Sequence, residues 1–256
     1  MPGARRPSAA AARLWHAESR MEQLALRVRL RDWARFETFV AGPNAAPAGA
    51  LSDTGTRAAR VLWLWGRAGT GKTHLLQAAC AAAGEAGTAT AYFDLRETTD
   101  PGRLEGCETL AAVCLDSLEL VAGDAAWNAA IFRLYTLMHD LRGRLLVASR
   151  PAPASIEFRL PDLRSRLLSA DLWQLQELDE EEQVRALQIR ATRRGLVLAD
   201  DAALFLVRRL PRDMHSLCGV LDRLDEASLI AQRRLTVPFL RQALAERSDA
   251  ARSPSE

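Results

Sequence analysis

Eight consecutive residues constrain this chain more than any others: Gly66-Arg67-Ala68-Gly69-Thr70-Gly71-Lys72-Thr73. They follow an apolar run at 61–64 and lead into a helical stretch at 74–83, so the order is strand, glycine-rich turn, helix. In that setting the G-x-x-x-x-G-K-[ST] spacing specifies a phosphate-binding loop. Gly66, Gly69 and Gly71 let backbone N–H groups, that of Thr70 among them, turn inward around an anion. The start of the helix adds partial positive charge. Lys72 then neutralises β- and γ-phosphate oxygens, and the Thr73 hydroxyl is placed for Mg2+. Of 34 basic residues 33 are arginine, and Lys72 is the only lysine in the chain. A retained lone lysine at this position is what a nucleotide site requires.

The surrounding pattern fits an α/β fold. Short apolar segments at 61–64, 90–93, 113–115 and 145–147, with a weaker one at 172–175, are separated by helical stretches. Buried strands spaced by helices predict a five-stranded parallel sheet with helices on both faces. From residue 178 onward only helices are expected, forming a small all-α lid. Asp179 and Glu182 form a capping box for the first, which Gly195 ends. Asp200 or Asp201 caps a second that stops at Pro211. Met214, Leu217, Leu221 and Leu224 mark a third over 212–234, and Thr236 caps a last one with Pro238 in its first turn. Residues 41–59, rich in Ala, Gly, Pro and Ser, read as a loop with at most a poor helix.

The expected boundaries are therefore 1–20 for a leader, 21–35 for an arm, 36–177 for the nucleotide-binding domain, 178–246 for the lid and 247–256 for a disordered tail. The leader is either disordered or precedes a true start at Met21. It lacks the apolar core of a signal peptide. With 48% hydrophobic and 26% charged residues over 256 positions, a disordered chain is excluded. No apolar run approaches the roughly 20 residues of a membrane helix. Cys80, Cys107, Cys114 and Cys218 have neither disulfide-scaffold nor zinc spacing, which predicts buried thiols in a reducing compartment. Residues 1–35 carry eight arginines against three acids, and the rest has 26 basic against 29 acidic residues. Only the N-terminal arm is basic.

Beyond the loop, residues 111–115 form an apolar strand that ends in Asp116, a carboxylate placed to hold Mg2+. The next position, where many such sites carry a second acid to polarise water, is Ser117, and the next acid is Glu119. This predicts weak hydrolysis in the chain's own site. Ser149 ends the strand at 145–147, where a hydroxyl could sense a γ-phosphate. Arg164 and Arg166 share one helical turn before the last strand, a placement that suits an arginine finger offered to a neighbouring subunit's nucleotide.

These residues together resemble the DnaA branch of the AAA+ ATPases, and within it the regulatory inactivators of replication initiation. The resemblance covers about 21–245. It rests on Phe36-x-x-Phe39-Val40-x-Gly42-x-Asn44, Trp65-Gly66, Leu115-Asp116 with Ala122-Gly123-Asp124, and the run Leu160-Pro161-Asp162-Leu163-Arg164-Ser165-Arg166-Leu167. In the lid it rests on Arg208-Arg209-Leu210, Leu217 and Leu221-Asp222-Arg223-Leu224-Asp225. The resemblance implies that Arg166 is the arginine finger with Arg164 its neighbour, and that Phe36, Phe39 and Val40 border the adenine of ADP or ATP. The family's lid arginine falls at His215, a departure, because imidazole is shorter and mostly neutral at pH 7.

Gln23, Leu24 and Leu26 resemble the QLxL core of a peptide that binds the β subunit of the DNA polymerase III sliding clamp, although Arg27 departs from it. The partners so implied are that clamp and the initiator DnaA, in the cytoplasm, with a homo-oligomer left open. The chain finishes about ten residues past Leu244, which leaves no recognition helix and predicts no direct sequence-specific DNA binding. The implied function is stimulation of ATP hydrolysis on DnaA. The alternatives are a helicase-loader-type ATPase and a nucleotide-binding interaction module without a working finger.

Overall fold

The structure, a computed structural model, describes residues 34–53, 60–211, 213–214, 216–221 and 235–242. Five strands, β1 (Arg60–Trp65), β2 (Thr90–Asp94), β3 (Ala112–Asp116), β4 (Arg144–Ser149) and β5 (Asp171–Gln174), form one sheet. Their order is β2-β3-β4-β1-β5, with every neighbouring pair parallel. β3 is buried at all five positions and β4 at all but its first, as apolar runs covered on both faces must be. β5, on the edge, is mostly exposed, and this is why its sequence signal is the weakest.

The helices are α1 (Ala45–Ser52), α2 (Lys72–Glu85), α3 (Ala125–Asp140), α4 (Pro161–Leu168), α5 (Glu180–Arg193) and α6 (Asp200–Arg209). Alternation along β1 divides the core. Trp63 packs with Phe93, Leu115, Ile131, Met138, Leu163 and Leu167 beneath α3 and α4. Leu62 and Leu64 pack with Leu51, Leu75, Leu76, Cys80 and Leu146 beneath α1 and α2. A separate cluster, including Leu187, Ala203, Leu206, Leu217, Leu221, Leu235 and Leu240, is the core of the helical lid.

Local signals account for most boundaries. The Asp179 carboxylate accepts the Glu182 N–H at 2.8 Å, and Glu182 returns the contact to the Asp179 N–H at 2.9 Å, completing the capping box of α5. The cap of α6 differs from expectation. Its N-cap is Ala199, because the Asp200 carboxylate instead takes the Gln188 amide at 2.7 Å. In the segment expected to be a loop with at most a poor helix, the eight-residue α1 forms and buries Pro47 and Leu51. The arm at 21–33, the leader and the tail lie outside the described residues, as does most of the third lid helix. Among the described residues no helix is long and apolar enough to cross a membrane.

Candidate nucleotide site

The C-terminal ends of β1, β3 and β4 lie side by side, so Trp65 is level with Ser149, and Asp116 follows the paired end of β3. Ligands of open parallel sheets bind at this edge. A cavity of about 380 Å³ opens there, bounded by the glycine loop, β3, β4 and the lid.

The loop closes around a lysine. Lys72 Nζ donates to the carbonyls of Gly66 at 2.7 Å and Arg67 at 2.6 Å. Burial pulls its pKa down to about 8, against the opposing pull of Asp116 and Glu119, while Arg150 pushes it further down. Gly71, the N-cap of α2, has φ +96°, and a Cβ there would lie 2.7 Å from the Phe39 ring. Gly69 has φ +79°, and its Cβ would lie 2.8 Å from the backbone nitrogen of Met214. The loop thus touches the segment that carries Phe39 at one glycine and the lid at another.

At the end of β3, Thr73 Oγ1 donates to Asp116 Oδ2 at 2.5 Å. A hydroxyl and a carboxylate are hard oxygen donors, and Mg2+ is typically bound by one or two such groups with phosphates and waters. The pair therefore fits Mg2+. Tyr92 OH donates to the same Oδ2 at 2.9 Å, and burial, with the Asp116 charge behind it, pushes the phenol pKa up. Tyr92 is a participant that the sequence reading missed. Only the β2–β3 pairing, which sets Tyr92 opposite Cys114, brings it close.

Ser117 adopts a left-handed conformation, φ 65°, and a short 3-10 turn, Leu118–Leu120, follows. This reversal returns Glu119 to the cavity wall. Its Oε1 accepts the Arg150 N–H at 3.3 Å, and its Oε2 is enclosed with no hydrogen-bond partner. Ser149 also lines the cavity, but its hydroxyl is engaged. It accepts from Trp63 Nε1 at 2.9 Å and donates to Pro151 O at 2.9 Å.

Thr38, Phe39 and Val40 border the cavity beside Gly71 of the phosphate loop, whereas Phe36 packs into the α1–α2 core. His74 stands beneath them with Nε2 2.8 Å from Arg35 O and its ring 5.4 Å from that of Phe39. Burial first, and then Arg190, hold its pKa down, partly opposed by the Arg35 carbonyl, so the ring is neutral at pH 7. Asn44 fixes this segment to the chain entering the lid. Its amide donates to Gln176 O at 3.0 Å and accepts the Gln176 N–H at 2.8 Å.

The lid contributes Ala186, Ile189, Arg190 and Arg193, positions three, four and seven apart on one face of α5, with Met214, Cys218 and Gly219. Arg190 and Arg193 are therefore cations of the lid that reach the cavity. His215, the lid position to which the family resemblance points, lies outside the described residues, as do Gln23, Leu24 and Leu26.

The cavity thus gathers Phe39, Val40, Gly69, Thr70, Gly71, Lys72, Thr73, Asp116 and Ser149, with Gly66 taking part through its carbonyl. It does not include Arg164 or Arg166. Arg164 Nη2 donates to Ala154 O at 3.1 Å, and Arg166 lies over the rings of Phe132 and Tyr135.

A phosphate loop on β1, an acid ending β3, an inserted β4 between them and a helical lid define a nucleotide-binding protein of the AAA+ class. A model of the bacterial DnaA ATPase domain matches residues 30–92, and one of the Hda lid domain matches 179–244. Over these two segments the chain is similar to DnaA-related AAA+ proteins, Hda-like in its lid.

Solved structures share the fold. Domain III of the Thermotoga maritima initiation protein DnaA is 18% identical at a TM-score of 0.73, over 86% of this chain and 98% of that one. AMPPCP-bound DnaA from Aquifex aeolicus is 20% identical at 0.63, over 77% and 65%. The Thermotoga maritima RuvB branch-migration motor is 15% identical at 0.58, over 90% and 68%.

Proposed function

We propose that this chain is a negative regulator of chromosomal replication initiation that activates ATP hydrolysis on DnaA. Holding ADP or ATP with Mg2+ in its own cavity, it docks on the DNA-loaded sliding clamp through Gln23, Leu24 and Leu26. It then presents Arg166 to the ATP of DnaA, and hydrolysis leaves the initiator in its inactive ADP form. The protein acts in the cytoplasm, at the replisome.

The observation that carries this reading is the placement of Arg166. It is exposed, it does not line the chain's own cavity, and among the described residues its guanidinium has no hydrogen-bonded or ionic partner. A cation so placed is available to a second molecule's phosphates, where a finger is worth about 10³–10⁵ in rate. Arg164, tied to Ala154, is the supporting neighbour.

The test is single-turnover hydrolysis of labelled ATP on purified DnaA with clamp-loaded DNA. Stimulation is expected from the wild type, and none from Arg166→Ala or from a chain lacking residues 21–27. Equal rates with and without the wild type would sink the reading. One observation favours a second reading, a helicase-loader-type ATPase: the enclosed Glu119 carboxylate at the cavity wall could polarise a water. That reading expects turnover by the chain alone, stimulated by single-stranded DNA and lost in Glu119→Gln.

A further inference from the structure

Arg166 rises from the last turn of α4, a helix of two turns. Leu163 and Leu167 on the same helix are fully buried in the main core, so the base of the side chain is fixed. Its tip is another matter, because a long exposed arginine ordinarily samples many rotamers. Here the guanidinium carbon lies 4.8 Å from the centroid of Phe132 and 5.5 Å from that of Tyr135. These rings are three residues apart on α3 and therefore share one face. Both are half-buried against the main core, and the His139 ring stacks on Tyr135 at 6.3 Å with 12° between planes.

We propose that Phe132 and Tyr135 are positioning residues, a ring platform that holds the Arg166 guanidinium at the surface with its N–H donors unspent. The inference rests on the regulator reading for its role in hydrolysis. A ring face attracts a cation through its quadrupole and does not need the donors that a carboxylate or carbonyl would take. An ion pair in the same place would immobilise the arginine equally well but would occupy the fork it must offer to phosphate oxygens. Arg164 illustrates the contrast, with an N–H already given to Ala154 O. The ligand such a fork accepts is an anionic phosphate oxygen of a nucleoside triphosphate held by a partner.

Phe132→Leu and Tyr135→Leu keep apolar bulk against the core but remove the ring faces. In the DnaA assay, at saturating chain and clamp, each is expected to lower the single-turnover rate about threefold and the double variant about tenfold, as for loss of exposed cation–π contacts. Phe132→Tyr and Tyr135→Phe, which keep a ring, are expected to retain the wild-type rate, and ADP affinity is expected to be unchanged throughout. In an Arg166→Ala background the leucine variants are expected to add no further loss. Wild-type rates in the double leucine variant, or equal losses in the ring-keeping variants, would overturn the proposal.

An NMR measurement separates this from failure of the regulator reading. In the ADP-bound full chain the Arg166 Hδ resonances are expected upfield through ring currents, and the double leucine variant is expected to lose that shift. If DnaA hydrolysis proves independent of the chain, the regulator reading falls and the NMR result alone decides the platform. An unshifted Arg166 in the wild type refutes it.

Discussion

The hydroxyl of Ser149 invites a quantitative test, because it joins the core of the sheet to the wall of the nucleotide cavity. It is 1% exposed and accepts a hydrogen bond from Trp63, which is 0% exposed. Ser149→Ala leaves the indole N–H buried without an acceptor, at a cost of about 1–3 kcal/mol. For a domain of this size that is a fall in Tm of about 4–8 °C at the middle of the range. Trp63→Phe removes the donor instead. In that background Ser149→Ala loses only its donation to Pro151, worth about 0.5–1 kcal/mol.

The double-mutant cycle should therefore show a coupling of about 1–2 kcal/mol. Urea unfolding of the nucleotide-free chain, followed by far-UV circular dichroism to avoid the altered tryptophan, would measure it. Additivity within about 0.3 kcal/mol would refute the argument. The same geometry makes a functional statement. The one hydroxyl proton is committed to Pro151, so it is not available to a phosphate oxygen in this arrangement. Ser149→Ala is thus expected to leave the ratio of ATP to ADP affinity within about twofold. A loss tenfold greater for ATP, about 1.4 kcal/mol, would show that the hydroxyl turns to the γ-phosphate.

Three further outcomes are expected. Burial holds Lys72 at about 8, so above that pH the folded chain sheds a proton that the unfolded chain keeps up to about 10.5. Its contribution to stability therefore rises with pH across that window, by about 1.5 kcal/mol between pH 8 and 9.5. In EDTA the urea midpoint of the wild type should climb relative to Lys72→Met, and parallel curves would contradict the assignment. Gly69→Ala places a Cβ 2.8 Å from Met214 N at φ +79°, and should weaken ADP binding by tenfold or more (about 1.4 kcal/mol) in calorimetry while the circular dichroism spectrum is unchanged. Tyr92→Phe removes a donor from Asp116 Oδ2, and should reduce the Mg2+-dependent part of nucleotide affinity about threefold to tenfold with no change in EDTA. An equal loss with and without Mg2+ would place Tyr92 outside the metal's surroundings.

The parts of this site that are legible in the sequence are those whose chemistry is local. Gly66 through Thr73 are contiguous, and the acid ending β3 is recognisable because a fully buried strand leaves an unbroken apolar run before Asp116. The capping box at Asp179 and Glu182 is equally self-contained. Glu119 was visible only as an acid in the wrong place, since nothing in Ser117-Leu118 announces a left-handed residue that turns the chain back. Arg190 and Arg193 were two of 33 arginines, and their difference from the others lies in the face of α5 that the lid turns toward the loop. α1 is legible only as a poor helix within a loop because Ala45–Ser52 has no apolar periodicity, and it is held by packing of Leu51 in the core beside α2. The Asp200 carboxylate is a natural cap by its position, but Gln188, twelve residues earlier, competes for it through the fold.

The short turn Phe36–Thr38 ends on the cavity wall, and Arg35 before it is anchored through its carbonyl to His74. Between Leu26 and Arg35 lie nine peptide units, which span at most about 30 Å when fully drawn out. If a clamp grips Gln23, Leu24 and Leu26, the nucleotide site is leashed to it by that radius. Under the proposed function the site then stays within a sphere of that radius around the clamp, and an initiator on nearby DNA meets it at a concentration bounded by the contour length. Inserting Gly-Ser pairs ahead of Arg35 would enlarge the sphere and dilute the encounter without altering a single contact in the site.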